Sequence, residues 1–148
     1  MTISERLVDN TVAFSSRAIE GATSYSSGET IIFDSPVTNM GGAFDPLTSV
    51  FTCPVHGIYL FSFALSVSSD KKMEGTLQVN NLLNVHAVVS ATEGWNQNSN
   101  TAVLECHAGD WVKVICGPVS SSSGEITNDN YVPMNTFSGV LLKMLTSA

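Results

Sequence analysis

The sequence predicts an all-β domain with the architecture of a sandwich or jelly roll. Segments rich in β-branched and aromatic residues recur at short intervals along the chain. Gly, Pro, Asn, Asp and Ser separate these segments, and signals for helices are scarce. The 148 residues suffice for one domain of ordinary size with a core of its own. We therefore divide the chain into a short N-terminal segment, residues 1–10, and a jelly-roll domain over residues 11–148.

The pattern of apolar segments and turn residues predicts ten short strands. Asn80-Asn81 is typical of a two-residue hairpin turn, because asparagine tolerates a positive φ. Two polar stretches, residues 92–100 and 120–130, are predicted to be projecting loops. In chain order the predicted strands span residues 12–17, 30–33, 36–39, 49–53, 57–67, 75–79, 82–90, 99–107, 111–117 and 136–145.

The longest predicted strand is apolar on both of its faces. One face carries Tyr59, Phe61 and Phe63, and the other carries Ile58 and Leu60. An antiparallel strand with one solvated face should alternate between apolar and polar residues, so the second face must be covered. Another subunit is the cover that we favour. A long loop packed over the strand would produce the same pattern.

Charge composition excludes two classes of partner. The chain has 6 Lys and Arg against 13 Asp and Glu, a formal net charge of −7, and a pI near 4.6. Nucleic acids and anionic membranes require clustered basic residues, and here only Lys71 and Lys72 are adjacent. Charged residues make up only 13% of the chain, about half the usual share. This low share indicates that much of the surface meets another protein surface.

Segments for membrane insertion or export are not evident in the sequence. No apolar run approaches the roughly 18–20 residues that span a bilayer. Residues 1–10 lack the charged and then apolar pattern of a signal peptide. Either a leader was removed before this sequence begins or export is not encoded in it.

The three cysteines, Cys53, Cys106 and Cys116, are predicted to be buried free thiols. If residues 107–110 form a tight turn, Cys116 lies on the order of 15 Å from Cys106 along the paired strand. That distance is well beyond the reach of a disulfide. The spacing of the cysteines matches neither zinc nor redox motifs.

No arrangement of residues in the sequence indicates catalysis. His56, His86 and His107 stand apart from other catalytic residue types, and we expect structural or surface roles for them. Cys106 and His107 are adjacent, but neighbouring residues of a strand point to opposite faces and cannot form a local dyad. The sequence therefore predicts that the protein is not an enzyme, and that it has no catalytic residues and no cofactor.

The polar stretch 92–100 contains the candidate ligand site. Trp95 has no apolar neighbours there, and an aromatic ring beside amides can stack on a sugar and hydrogen-bond its hydroxyls. We assign Glu93, Trp95, Asn96 and Gln97 to this site. In the alternative, Trp95 packs back on the sandwich or against the next subunit.

Calcium is a candidate ligand of the two polar loops. This ion takes six or more oxygen ligands, several of them charged. Glu93 is accompanied by neutral amides, and the second loop offers Glu125 and Asp129. The carboxylates are too few for a strong site in one chain, so only three-fold symmetry would concentrate enough ligands. No metal ligands are assigned.

The spacing of aromatic and small residues resembles the signature of the C1q domain family. The phrase from Phe51 to Tyr59 is typical of that family, and the stretches 109–114 and 137–142 match its later landmarks. The resemblance extends over residues 11–145. Its eight fixed positions are Phe33, Asn39, Phe44, Phe51, Gly57, Tyr59, Phe61 and Phe63.

This resemblance implies a ten-stranded jelly roll of the type shared by the C1q and tumour necrosis factor proteins. It also implies a secreted, non-enzymatic homotrimer with aromatic residues near its axis. We accordingly assign Tyr59, Phe61, Phe63 and Trp111 to the trimer interface. Gly57 is expected where the chain passes close to a neighbour or adopts a positive φ. Asn39 is expected to satisfy amides of the turn that follows it.

Three functions are compatible with a stand-alone domain of this kind, which is also common among invertebrates. The first is a lectin-like pattern-recognition protein of innate immunity, which binds glycans or microbial surface molecules through loops displayed three at a time. The second is a signalling ligand for a cell-surface receptor, resembling adipokines, cerebellins or tumour necrosis factors. The third is a structural component of the extracellular matrix. We favour the first.

Overall fold

The structure is a computed structural model that describes residues 11–19, 21–118, 123–129 and 132–146. Within these ranges the chain forms twelve strands and no helix. The predicted N-terminal segment, residues 1–10, lies outside the described residues. The strands are β1 (Ala13–Ala18), β2 (Ala22–Ser26), β3 (Ser35–Met40), β4 (Phe44–Asp45), β5 (Val50–Thr52), β6 (Gly57–Ser68), β7 (Lys72–Val79), β8 (Leu82–Ser90), β9 (Trp95–Cys106), β10 (Trp111–Cys116), β11 (Ser123–Thr127) and β12 (Asn135–Met144).

Ten of these strands form two antiparallel sheets that pack face to face. The first sheet has the order β3-β1-β12-β6-β9, and the second has the order β4-β5-β10-β7-β8. Strands β2 and β11 form a separate two-stranded ribbon. The predicted ten-stranded jelly-roll sandwich is therefore confirmed. β6 lies between β12 and β9 and pairs with both over most of its length, so it is an interior strand of the first sheet.

The strands differ from the prediction in several segments, and β2 (Ala22–Ser26) and β4 (Phe44–Asp45) were not predicted. Residues 30–33 form no strand; Thr30 bridges to Ile115, and the segment places Ile31 in the core. β11 lies inside the stretch 120–130 that was predicted to be a loop, of which residues 120–122 and 130 are outside the described part. Of its five residues only Ile126 and Thr127 favour a strand. Pairing with β2 forms the strand, and Tyr25 and Ile126 are buried there.

Aromatic rings fill the space between the two sheets. Phe14 stacks on Phe44 with ring centroids 4.5 Å apart and on Phe51 at 5.1 Å. Phe137 meets the edge of Phe14 at 4.9 Å. Phe51 in turn contacts Phe61 at 5.5 Å. Aromatic pairs in these geometries stabilise a core beyond their buried area, and all five rings are buried.

Four residues were assigned to the trimer interface, and the assignment is wrong for three of them. Tyr59, Phe61 and Phe63 are 0–1% exposed within a single chain, because their face of β6 is directed at the second sheet. These side chains are buried in the core of one chain, so they cannot contact a neighbouring subunit. The other face of β6, with Ile58 and Leu60, is the outward one. Two apolar faces were correctly recognised in the sequence, but the assignment of the faces was inverted.

Two of the signature residues have the structural roles expected of them. The Asn39 side chain donates to the Phe44 carbonyl at 2.8 Å and accepts from the Phe44 amide at 3.4 Å, which closes the turn between β3 and β4. At Gly57, a Cβ atom would lie 2.6 Å from the carbonyl oxygen of Lys143 and 2.6 Å from Cδ1 of Leu141. The close approach of β12, and not a positive φ, requires glycine there.

Substituting Gly57→Ala is expected to lower the free energy of unfolding by about 1–3 kcal/mol, the usual cost of overpacking. Urea denaturation followed by tryptophan fluorescence measures the loss. A second variant, Gly57→Ala with Leu141→Ala, relieves only the side-chain contact. We expect it to remain destabilised, since the Lys143 oxygen belongs to the backbone. Wild-type stability in the single variant would contradict the close approach.

Candidate functional site

The outward face of the first sheet carries an apolar row that crosses all five strands. Strand pairing places its members side by side, and residues directly opposite one another share a face of the sheet. Met40, Val140 and Val103 are 36–58% exposed. This row, from β3 to β9, consists of Met40, Ala13, Val140, Leu60 and Val103.

A row of hydroxyl side chains lies next to the apolar row on the same face. Ser15 Oγ and Ser138 Oγ are 2.8 Å apart, and Thr101 donates to Ser62 Oγ at 3.1 Å. In strand order the row consists of Thr38, Ser15, Ser138, Ser62 and Thr101. Neither row contains a charged residue. Because the hydroxyls bond to each other, this surface can be covered by another protein at little desolvation cost.

Three of the four candidate ligand residues, Trp95, Asn96 and Gln97, lie on β9 and not in a loop as predicted. Residues 95–100 pair with the far end of β6, from Ser68 to Phe63. Trp95, which is 48% exposed, lies on the outward face, and Gln97 shares this face because it is two residues further along the strand. Asn96 points to the opposite face, and Glu93 lies exposed in the connection before β9. The strand extends this far because the 12-residue β6 supplies backbone partners along its whole length.

Alternate asparagines of β9 join the edges of the two sheets. Asn96, Asn98 and Asn100 each donate to a backbone carbonyl of β8, at 2.8 Å in every case. Each also accepts a hydrogen bond from the amide of the residue that follows it. We call these three side chains the asparagine ladder. It satisfies backbone groups at an edge of each sheet, which would otherwise be open to pairing with other chains.

The asparagine ladder corrects the predicted ligand site. The Asn96 amide group is bonded to the Ser90 carbonyl and faces away from Trp95, so these two residues do not form one site. The Gln97 amide donates to the Met134 carbonyl at 2.8 Å. A binding role for Glu93, Trp95 and Gln97 stays a prediction. The repeat of Asn at every second position was the sequence signal that would have revealed the strand.

Trp111 lies on the outward face of the second sheet, as its alternation with Val112 and Val114 predicted. The Lys113 ammonium sits 4.9 Å from the centroid of its ring, a cation–π contact. Trp111 and the apolar row are thus on opposite sides of the sandwich. Its assignment to a subunit interface stays a prediction.

The three cysteines are buried free thiols, as predicted. A hydrogen bond between the Cys53 and Cys106 thiols raises the pKa of Cys53 and lowers that of Cys106. Burial raises the pKa of Cys116. Cys106 is fully buried whereas His107 is 65% exposed at its side chain, so the adjacent residues do point apart.

His86 belongs to a hydrogen-bonded group on the second sheet. Thr76 donates its single hydroxyl hydrogen to the Gly117 carbonyl at 2.6 Å, so Nδ1 of His86 donates to Thr76 Oγ1, also at 2.6 Å. Nε2 of His86 is 3.4 Å from the buried carboxylate of Glu74. These contacts give His86 a structural role.

The structure brings two other histidines together at the end of the first sheet. His56 Nε2 is 2.6 Å from Glu105 Oε2, and His107 Nε2 is 3.8 Å from the same oxygen. The hydrogen bond from His56 lowers the pKa of Glu105. The sequence could not reveal this group, because 49 positions separate His56 from Glu105 and only the β6–β9 register unites them.

The acidic residues considered for calcium lie on different elements. The carboxylate of Glu125, on β11, is 3.3 Å from the Lys71 ammonium, whereas Glu93 precedes β9. Calcium binding stays a prediction. Among the described residues, no helix has the length and apolar character of a membrane span.

Comparisons with known proteins agree on one family. A model of the C1q domain matches residues 13–142. The Mus musculus protein named complement C1q tumor necrosis factor-related protein 3 is 34% identical over 114 residues, which cover 76% of this chain and 44% of that protein. The chain therefore spans less than half the length of this curated relative.

Solved structures resemble the fold over almost the whole chain. The globular domain of zebrafish complement 1qA protein superposes with a TM-score of 0.72 at 20% identity, covering 92% of this chain and 100% of that domain. Eiger TNF from S. frugiperda superposes with a TM-score of 0.73 at 13% identity, covering 93% of this chain and 96% of the other. At these identities the matches establish the jelly-roll fold.

Proposed function

Because the chain belongs to the C1q domain family, we propose that it is a secreted, non-enzymatic recognition protein that acts as a homotrimer. Domains of the C1q and tumour necrosis factor superfamily are generally binding or signalling modules and typically form homotrimers. The observation that carries the proposal is the uncharged patch that the apolar row and the hydroxyl row form on the outward face of the first sheet. In the apolar row Met40, Val140 and Val103 are exposed, whereas Ala13 and Leu60 are half-buried.

A three-fold assembly requires two different patches that fit one another, since each subunit contacts its neighbours head to tail. The apolar row supplies one of them. Exposed Leu83 and Val88 on β8, which pair with Gln78 and Glu74 on one face of β7, supply the other. In the proposed trimer, the β8 edge of one copy covers the apolar row of the next copy.

Sedimentation of the purified protein tests this assembly. The wild type should sediment as a trimer, whereas Leu60→Asp should sediment as a folded monomer because a carboxylate enters the apolar row. Leu47→Asp is the matched control: Leu47 is 86% exposed in the β4–β5 connection, and this variant should remain trimeric. A monomeric wild type, or a trimeric Leu60→Asp variant, would overturn the proposed interface.

The proposed ligand is a glycan or microbial surface molecule, bound around Trp95. A half-exposed indole on the same strand face as Gln97, with Glu93 two residues earlier in the chain, offers a stacking surface and hydrogen-bonding groups. Three copies in one trimer would turn weak binding by each site into useful avidity. The chemistry around Trp95 therefore supports a role in innate immune recognition.

A glycan array probed with the purified trimer tests the ligand class. Trp95→Ala should abolish binding while the trimer persists, and Leu47→Ala, which removes an exposed side chain in the β4–β5 connection, should retain it. Repeating the array with a chelator shows whether calcium contributes. Binding that survives in Trp95→Ala contradicts the proposed site, and a blank array for the wild type contradicts the glycan class.

The second candidate function is a signalling ligand for a cell-surface receptor. It is supported by the 34% identity to the tumor necrosis factor-related mouse protein. Under this alternative, the trimer would bind cells through a protease-sensitive partner, and binding would be unaffected by enzymatic removal of surface glycans.

A further inference from the structure

His56, Glu105 and His107 form a cluster that the proposed function does not use. Gly57 and Cys106 are partners in the β6–β9 register. His56 precedes Gly57 and His107 follows Cys106, so the two histidines flank the same pair from opposite strands. Their rings stack, with centroids 4.3 Å apart and planes inclined by 13°. Glu105 lies on β9 between them in space.

The three side chains provide the donor set of a transition-metal site. One ligand atom from each residue can be chosen so that all three lie within 4.8 Å of one another. A tetrahedral zinc ion holds ligands at about 2.0–2.2 Å, which places the ligand atoms about 3.4 Å apart. Two imidazole nitrogens and one carboxylate oxygen match the preference of such ions, and calcium would instead require oxygen ligands alone.

The surroundings of the His107 ring also fit metal binding. Nδ1 of His107 lies 3.8 Å from Oδ2 of Asp110, so a carboxylate is placed behind the ring nitrogen that would not face the ion. Carboxylates in this position orient metal-bound histidines in known sites. Glu105 holds the His56 ring at Nε2. Nδ1 of His56 is buried without a hydrogen-bond partner among the described residues.

We propose that His56, Glu105 and His107 together bind one zinc ion or a similar first-row divalent transition metal, with solvent in the fourth position. Stacked rings direct their lone pairs side by side, so one ring must turn for both to reach the same ion. His107 is the ring that turns, because its side chain is 65% exposed whereas that of His56 is 18% exposed. The short contact between His56 and Glu105 then opens to admit the ion.

Isothermal titration of the metal-free protein with zinc chloride tests the site. The wild type should bind one ion per chain. His107→Ala and Glu105→Gln change exposed side chains and should fold normally, but they should bind zinc at least about tenfold more weakly, since even second-layer partners contribute that much. Asp34→Asn removes an exposed carboxylate elsewhere and should bind like the wild type. Absence of saturable binding in the wild type, or equal affinity in His107→Ala, would overturn the proposal.

Two spectroscopic measurements identify the ligands independently of affinity. Zinc should shift the ring resonances of His56 and His107 in nuclear magnetic resonance spectra and leave those of His86 unchanged. Cobalt, used as a probe, should give visible bands without thiolate charge transfer. A thiolate band would place the ion on the cysteines and overturn the assignment, as would a shift confined to His86.

Discussion

Replacing Phe61 by alanine is expected to lower the free energy of unfolding by about 3–5 kcal/mol, the range for deleting a buried aromatic ring. Phe61 is fully buried and packs against Phe51 and Tyr59, with centroids 5.5 and 5.9 Å away. A Cβ atom on Gly139 would lie 2.8 Å from Cδ1 of Phe61, which shows how closely β12 approaches the ring. Urea denaturation of the purified protein measures the loss.

The neighbouring residue on the outward face is the matched control. Leu60→Ala should lower stability less, and its effect should depend on protein concentration, because the side chain serves the assembly and not the core of one chain. The loss in Phe61→Ala should be present at every concentration. The opposite pattern, a small loss of stability in Phe61→Ala and a large one in Leu60→Ala, would contradict the placement of Phe61 in the core and support its assignment to the interface.

Asn135→Leu is expected to lower the free energy of unfolding by about 2–5 kcal/mol, because several buried polar groups lose their partners at once. Asn135 is fully buried. Its Oδ1 accepts from the Ser66 amide at 2.7 Å, and its Nδ2 donates to the Thr127 carbonyl at 2.9 Å and to Asn128 Oδ1 at 2.8 Å. One side chain thus ties β6, β11 and the start of β12 together. Thermal and urea denaturation measure the effect.

Asn98→Leu provides the same substitution at the surface. Asn98 is exposed, and its bonds to the Val88 carbonyl and the Ser99 amide, 2.8 and 2.9 Å long, are accessible to water. Solvent can replace both bonds, so we expect a loss of no more than about 1 kcal/mol. Equal losses of unfolding free energy in the two variants would show that burial does not make the hydrogen bonds of Asn135 more important for stability than those of Asn98.

Most of the fold could be predicted because its signals are local. Alternation along β6, the asparagine turn before β8 and the glycine at the start of β6 are each encoded within a few residues. β11 and the first half of β9 were missed for the converse reason. Their residues are polar, and they are strands because β2 and β6 supply backbone partners from distant parts of the chain.

The candidate sites could be predicted only in part. Trp95 was recognised as a half-exposed aromatic residue among polar neighbours, but Asn96 was placed with it because a loop was assumed where the structure has a strand. Alternation then directs the two side chains to opposite faces. The cluster of His56, Glu105 and His107 has no local signal, since its members come from two strands that meet only through pairing.

The sequence by itself determined the all-β class, the jelly-roll family, the buried thiols and the presence of a second apolar face on β6. The class and the second apolar face follow from the pattern of residues along the strands, the thiols follow from the spacing of the cysteines, and the family follows from the resemblance of the eight signature positions. Only the tertiary structure decided which face of β6 enters the core, because alternation separates two faces without saying where the second sheet lies. The same long-range packing decided that Asn96, Asn98 and Asn100 join two sheet edges. It also brought two distant histidines to one carboxylate.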